Sequence, residues 1–138
     1  MPKILRSPDR HADTEKVTVN LGHVDLGRVD LLVREGFYSN RTDFIRTAIR
    51  NQLGAEKHTV DHSIERHRLE LGLFDITRED LETLRSKGEQ LHLRVLGLAR
   101  IADDVSASLA RETIGSLSVL GSLQAAKDVK EALADRLV

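Results

Sequence analysis

Alternating polar side chains near the start of this 138-residue chain could take part in binding. In the segment KVTVNL, Lys16, Thr18 and Asn20 fall on one side of an extended chain, because successive side chains of a strand point to opposite faces. All three carry hydrogen-bond donors, and Lys16 also carries a positive charge. The pattern predicts a polar strip that could contact a polar or anionic partner.

A second polar group, Ser39, Asn40 and Arg41, stands directly before an amphipathic segment. The first N–H groups of a helix have no acceptor within the helix, and the helix dipole places partial positive charge there. An anionic group is therefore well held at such a terminus, and the Arg41 charge adds to the attraction. We expect this position to bind an anion.

Three histidines, His58, His62 and His67, lie in a polar stretch. His58 and His62 are four residues apart and would share a helix face, which is compatible with a nickel or zinc site. No further ligand at motif spacing accompanies them, and histidines in a polar linker are commonly solvated. We predict no metal site and no cofactor.

Catalytic patterns are missing from the sequence. Cysteine is absent, which excludes disulfide frameworks and thiolate chemistry, and there is no Gly-rich phosphate loop, nucleophile elbow or HExxH motif. The length suits one compact domain or two very small ones, and no apolar run is long enough to serve as a signal peptide or a membrane span. We expect a cytoplasmic, non-enzymatic protein with no membrane partner.

Net charge gives little support to any partner. The chain carries −1 in total, divided into +2 up to Leu53 and −3 beyond it. A difference of this size is common on neutral surfaces, so it cannot by itself indicate nucleic-acid binding.

The segments that position the polar groups follow from hydrophobic periodicity. Strict alternation with β-branched residues predicts a strand over KVTVNL, and helical spacing predicts helix A over about 24–35, ending at Gly36 as a left-handed cap. Helix B is predicted over about 40–53, with Ser39 or Asn40 as its cap and Asp43 three residues beyond Asn40, as in a capping box.

A lone strand needs a partner for its backbone donors and acceptors, and nothing between residues 22 and 53 supplies one. We therefore predict that two copies pair strand to strand, antiparallel. Such pairing would bury the apolar strand face on the helices and expose the polar face twice over. The predicted dimer core consists of Val17, Val19, Leu21, Ile45 and Ile49.

The order strand, helix, Gly, helix, with KVTVNL followed by GFYSNRTDFIRTAIR, resembles the ribbon-helix-helix DNA-binding domain of CopG-type regulators over about residues 15–53. One departure is Gly22 and His23 after the strand, where family members often place proline. The resemblance implies that the paired strands enter the DNA major groove and that the start of the second helix holds a phosphate. It assigns base reading to Lys16, Thr18 and Asn20 and phosphate binding to Ser39, Asn40 and Arg41. The alternative is a dimerisation module with a polar strand face.

The C-terminal part contains an internal repeat. Residues 93–111 laid on 117–135 agree at nine of nineteen positions, with a period of 24, and a degenerate third copy begins 24 residues earlier. Each unit is interpreted as a strand, a glycine turn and a short helix led by Asp104 or Asp128. Stacked units of this kind would share one core, as in a solenoid. The alternative is a small α+β domain that contains a duplication.

We therefore expect an α+β chain with four segments. These are a flexible arm over 1–13, a ribbon-helix-helix dimerisation and DNA-binding domain over 14–53, a partly helical linker over 54–68, and a solenoid-like strand-helix repeat domain over 69–138. Lys3, Arg6 and Arg10 of the arm could follow a polyanion, although a plain disordered tail fits the composition equally well.

The expected function is sequence-specific DNA binding by a homodimeric transcription regulator acting as a repressor. Its partners are double-stranded DNA, a second copy of the chain and, at the C-terminal domain, further copies or another protein. Two alternatives stay open: an antitoxin whose C-terminal region binds a toxin, and a self-assembling scaffold in which DNA binding is secondary.

Overall fold

The computed structural model describes residues 14–138, so the predicted arm over 1–13, with Lys3, Arg6 and Arg10, lies outside the described residues. The described chain is α+β, with six helices and one three-stranded parallel sheet. It divides into two compact units, Lys16–Ser63 and a second unit that contains Ile64–Val138. The sheet belongs entirely to the second unit.

Two helices follow one another in the first unit. Helix α1 spans His23–Arg34 and α2 spans Arg41–Ala55, close to the predicted helices A and B. Gly36 ends α1 with φ of 84°, and the next N–H, from Phe37, reaches back to the Leu32 carbonyl at 3.0 Å. This is a Schellman motif, which requires the left-handed conformation that glycine adopts without strain.

Residues 14–22 of the single chain belong to no helix or strand. The segment KVTVNL lies within this stretch, and Gly22 is the N-cap residue of α1 in extended conformation. A strand is defined by its pairing, so the predicted ribbon between two copies stays a prediction.

Helix α3 spans Lys57–His67, so helix occupies most of the segment that the sequence assigned to a linker. Lys57 and Asp61 form an ion pair one turn apart on its surface. Arg68 then adopts φ of 54°, a left-handed conformation uncommon for a residue with a side chain.

The second unit alternates strands with helices. Strand β1 spans Glu70–Ile76, α4 Arg78–Lys87, β2 Leu91–Ile101, α5 Ala107–Thr113, β3 Ile114–Gln124 and α6 Lys127–Ala132. The strands lie in the order β1-β2-β3, and both pairs are parallel. Gly97 pairs with Gly121, at an offset equal to the predicted period, but Gly72 pairs with Gly97, so the first repeat is one residue longer than predicted.

The glycines of the repeat do not form turns, and that interpretation was wrong. Gly72, Gly97 and Gly121 lie inside the three strands, side by side in the register, with φ of 143°, 142° and 123°. Because such values are accessible essentially to glycine alone, the repeated glycine marks a special backbone conformation within the sheet.

The predicted aspartate caps were also wrong. Ser106 caps α5, its hydroxyl accepting the Leu109 N–H at 3.0 Å, and Asp104 lies before the cap. Helix α6 begins at Lys127 with no side-chain cap, and Asp128 lies within its first turn. Helix α4 carries the complete capping box of this unit, formed by Thr77 and Asp80.

One face of the sheet forms the core. Leu91, Leu93 and Val95 of β2 are buried, whereas His92 and Arg94 between them are exposed, as period-two alternation requires. The helices supply the other side of this core. Its buried members outside β2 are Phe74, Ile76, Leu81, Leu84, Val105, Leu109, Ala110, Ile114, Leu117, Val129 and Leu133.

Candidate nucleic-acid interface

The segment before α1 exposes both of its faces. Lys16, Thr18 and Asn20 are exposed, and so are the apolar residues that alternate with them. Val17 is 78% and Val19 69% exposed, which is unusual for β-branched apolar side chains. Water therefore reaches the apolar face that the sequence assigns to a dimer core.

The same is true of the helix residues assigned to that core. Ile45 is 42% and Ile49 53% exposed, and among residues Lys16–Ser63 the only buried one is Val29. A unit of this size with one buried side chain has too little apolar burial to offset its conformational entropy. Burial of this apolar face against another surface would add to its stability.

The N terminus of α2 is capped by side chains. The Asn40 side-chain oxygen accepts the Asp43 N–H at 2.8 Å, as predicted, but the reciprocal bond comes from a different residue. It is the Ser39 N–H that donates to the Asp43 carboxylate, at 2.9 Å, where the sequence predicted the Asn40 N–H. Of the three predicted anion-binding residues, Ser39 and Asn40 are thus engaged in the cap.

Arg41 makes a bidentate contact that the sequence did not predict. Its Nε and one terminal nitrogen each donate to a carboxylate oxygen of Asp30, in α1, at 2.8 Å. This hydrogen bond holds the pKa of the Asp30 carboxyl below its usual value and raises the pKa of Arg41. Both side chains are about half exposed, so a phosphate could replace the carboxylate.

The backbone of this terminus can bind an anion. Helix geometry leaves the N–H groups of Arg41 and Thr42 without an acceptor inside α2, because both are in its first turn. They carry the positive end of the helix dipole, although the Asp43 carboxylate in the same turn reduces the local positive charge. Three sources of attraction for a phosphate therefore meet here: two N–H groups, the dipole and Arg41.

Asp30 is the functional candidate that sequence reasoning missed. It is eleven residues from Arg41 and belongs to another helix, so no motif spacing connects the two. The pair could have been predicted only by assuming that α1 and α2 pack against each other as a helical hairpin.

His58 and His62 share a face of α3, as predicted, with ring centroids 4.9 Å apart. Across residues 14–138 no three His, Asp or Glu side chains are grouped as a metal ion would need. None of the helices in this part of the chain is long and apolar enough to cross a membrane.

Comparison with curated proteins and with solved structures finds no significant match. Comparison with protein families does: the ribbon-helix-helix transcriptional regulator family matches residues 12–130, a range that spans the α1–α2 unit and most of the sheet unit. The earlier resemblance covered only about 15–53, so the repeat region also falls within the family match. The chain, with its extended polar segment followed by α1, Gly36 and α2, belongs to the ribbon-helix-helix transcriptional regulator family.

Proposed function

We propose that the protein is a sequence-specific DNA-binding transcription regulator that acts as a homodimer. The observation that carries the proposal is the exposed apolar face of Lys16–Ser63, where Val17, Val19 and Ile49 face water and Val29 alone is buried. Antiparallel pairing of two Lys16–Leu21 segments would cover this face and satisfy the backbone of both segments. The family to which the chain belongs supports DNA as the partner.

In the proposed dimer the polar faces of both segments form one exposed ribbon. A two-stranded ribbon fits the major groove, where base pairs present distinct patterns of donors and acceptors. Lys16 can donate to guanine, Asn20 can bond bidentately to adenine, and the Thr18 methyl group can contact thymine. These three residues are the proposed base-reading set.

Phosphate anchoring is the proposed role of the α2 N terminus. The backbone N–H groups of Arg41 and Thr42 would bind a phosphate oxygen, with Ser39 and Asn40 fixing the terminus through their contacts with Asp43. Arg41 would exchange its Asp30 partner for the phosphate. Such contacts fix the register of the protein on DNA and carry no sequence information.

The sheet unit is proposed to assemble neighbouring dimers, and the protein is proposed to act as a cytoplasmic repressor. The unit has its own buried core and carries more acidic than basic residues, so it offers no basic footprint for DNA. Stacked strand-helix units of this kind extend by adding copies, which is the solenoid-like behaviour expected from the repeat. Several dimers on adjacent sites would then bind cooperatively.

An antitoxin role fits the sheet unit less well. Antitoxin segments that fold on a toxin are short and poor in apolar residues, whereas this unit buries a continuous apolar cluster from Phe74 to Leu133 within one chain. A scaffold role differs from the proposal mainly in whether DNA binding by the ribbon is specific.

Genome-wide occupancy of the tagged full-length protein, followed by binding to the recovered sites in solution, tests the proposal. We expect a small set of sites with a shared motif, bound in multiples of a dimer. Occupancy that follows no motif would contradict sequence-specific regulation and favour the scaffold, and a toxin gene beside the protein's own gene would favour the antitoxin.

A further inference from the structure

The three glycines of the sheet make close backbone contacts between strands. A Cβ atom on Gly97 would lie 2.1 Å from the Gly72 carbonyl oxygen, and one on Gly121 would lie 2.0 Å from the Gly97 carbonyl oxygen. Real Cβ atoms essentially never approach a backbone atom within 3.0 Å. Strands β2 and β3 therefore each need a glycine of positive φ at the position beside the glycine carbonyl of the preceding strand.

The outer edge of β3 presents one more such carbonyl. The N–H and C=O groups of Leu117 bond outward, to Arg136 and Val138, so by alternation those of Gly121 also face outward. Among residues 14–138, the C-terminal residues 136–138 bridge this edge at Leu117. On this outer side, residues 118–123 of β3 have no neighbouring strand within the described part of the chain.

The outer edge of β1 is complementary to this edge. The Ile76 carbonyl accepts the Ala102 N–H on the β2 side, so by alternation the N–H and C=O groups of Leu71 and Leu73 face away from β2. Gly72 lies between them with φ of 143°, the conformation in which Gly97 accommodates a neighbouring carbonyl. Strand β1 has 7 residues, and with Gly72 beside Gly121 its residues 70–75 would lie opposite residues 119–124 of β3.

We propose that sheet units of different chains join head to tail, β3 of one chain pairing in parallel with β1 of the next, with Gly72 beside Gly121. This inference rests on the proposed role of the sheet unit in assembly, and it specifies which strands form the contact. The new pair would repeat the register that joins β1 to β2 and β2 to β3, so the sheet would continue from chain to chain.

The side chains of the two edges favour the same register. Leu71 is 69% and Leu120 57% exposed, and both lie in the row that Leu96 occupies in β2. Head-to-tail pairing would place Leu71 of one chain beside Leu120 of the next and bury part of both side chains, as Leu96 is partly buried between its two neighbouring strands. A symmetric pairing of two β1 edges would lack the glycine contact, because the Gly72 carbonyl faces β2.

Cysteine cross-linking of the full-length protein tests this contact, and the chain has no cysteine of its own. In the proposed assembly, the variant Leu71→Cys/Leu120→Cys places its two cysteines on adjacent strands of different chains. Their Cα atoms would be about 4.8 Å apart, close enough for a disulfide. Within one chain the same residues are two strands apart, about 10 Å, too far for a disulfide. Oxidation should give a ladder of covalent species larger than a dimer.

Three controls give the test its specificity. Leu71→Cys alone and Leu120→Cys alone should form no disulfide, and Leu71→Cys/Glu131→Cys, with its second cysteine on the surface of α6, should form no ladder. Dimers from either single variant would overturn the proposal in favour of symmetric edge pairing. A double variant that stays uncross-linked would overturn it as well. If light scattering still shows assemblies larger than a dimer, the assembly role stands and only the strand contact is wrong.

Discussion

Arg41 in α2 and Asp30 in α1 form a bidentate ion pair, with both nitrogen–oxygen distances at 2.8 Å. The pair occupies the N terminus of α2, where we propose that a DNA phosphate binds. Exposed ion pairs contribute little to stability, so we expect only a small part of the unit's folding free energy to come from this pair. The hydrogen bond from Arg41 holds the pKa of the Asp30 carboxyl below its usual value, which favours the ionised form.

We expect Asp30→Asn to raise DNA affinity for all sequences alike, because Arg41 is released to a phosphate. The slope of log affinity against log salt should become steeper by about one. Fluorescence anisotropy over a range of salt concentrations measures both quantities. Adding Arg41→Ala to the variant should remove the gain. Weaker binding by Asp30→Asn would mean instead that Asp30 orients Arg41 for the phosphate.

The stability contribution of the same pair should depend on pH. Because the pKa of Asp30 is lower in the folded protein than in the unfolded chain, the contribution is present above the unfolded value. It is lost as pH falls through the folded value. Urea denaturation of the wild type and Asp30→Asn should therefore differ at pH 7 and converge in strong acid. A difference that persists at the lowest pH would contradict the assignment.

Replacing Val19 tests the proposed dimer. In the single chain Val19 is 69% exposed, and in the dimer a lysine there would bury an unpaired charge at a cost of several kcal/mol. We expect the mass of Val19→Lys by light scattering to fall below that of the wild type at equal concentration. Thr18→Lys, on the polar face, is the matched control and should keep the wild-type mass. An unchanged mass for Val19→Lys would place the dimer contact elsewhere.

The close contact between Gly97 and the Gly72 carbonyl predicts a large loss of stability for Gly97→Ala. Its methyl group would meet the Gly72 carbonyl at 2.1 Å with φ near 142°, so strain and overpacking should together cost about 2–5 kcal/mol. Gly88→Ala is the control within the same unit, because its φ of 68° is also positive but no atom lies within 4 Å. That variant should lose only about 1–2 kcal/mol in urea denaturation. If Gly97→Ala and Gly88→Ala lost equal stability, the sheet would be able to accommodate the added methyl group beside the Gly72 carbonyl without a measurable cost.

Arg68 should be stabilised by replacement with glycine. It ends α3 in the left-handed conformation, with the Leu69 N–H reaching the Ile64 carbonyl at 2.9 Å, as Phe37 reaches Leu32 after Gly36. A side chain in that conformation costs about 1–2 kcal/mol, and the greater entropy of glycine in the unfolded chain offsets part of it. A net gain of about 0.5–1 kcal/mol is expected for Arg68→Gly in thermal or urea denaturation. A loss would show that the arginine side chain contributes a stabilising contact.

Local features of the sequence predicted helices α1 and α2 and the 24-residue offset between β2 and β3. Helix boundaries at Gly36 and Asn40 depend on caps a few residues long, and the strand register depends on repeated residues such as Gly97 and Gly121. The glycine conformation was not predictable, because a glycine inside a strand has the same sequence pattern as a turn until the neighbouring strand is placed. The Arg41–Asp30 pair likewise depends on how two helices pack.

The segment interpreted as a linker shows a further limit of the sequence. It was predicted to be only partly helical, because apolar periodicity is the main helix signal and only Val60 and Ile64 provide it, whereas α3 occupies most of the segment. Ser106 and Asp104 could each have capped α5, and only the structure distinguishes them.

Binding-site selection from random DNA, followed by affinity measurements with the wild type, Lys16→Ala and Asn20→Ala, tests the central claim most directly. The wild type should select a motif, and each variant should lose roughly 1–3 kcal/mol on that motif while binding unrelated DNA almost as before. Arg41→Ala should instead weaken motif and unrelated DNA alike. If Lys16→Ala and Asn20→Ala select the same motif with unchanged affinity, residues 16–21 do not read DNA and the account is wrong.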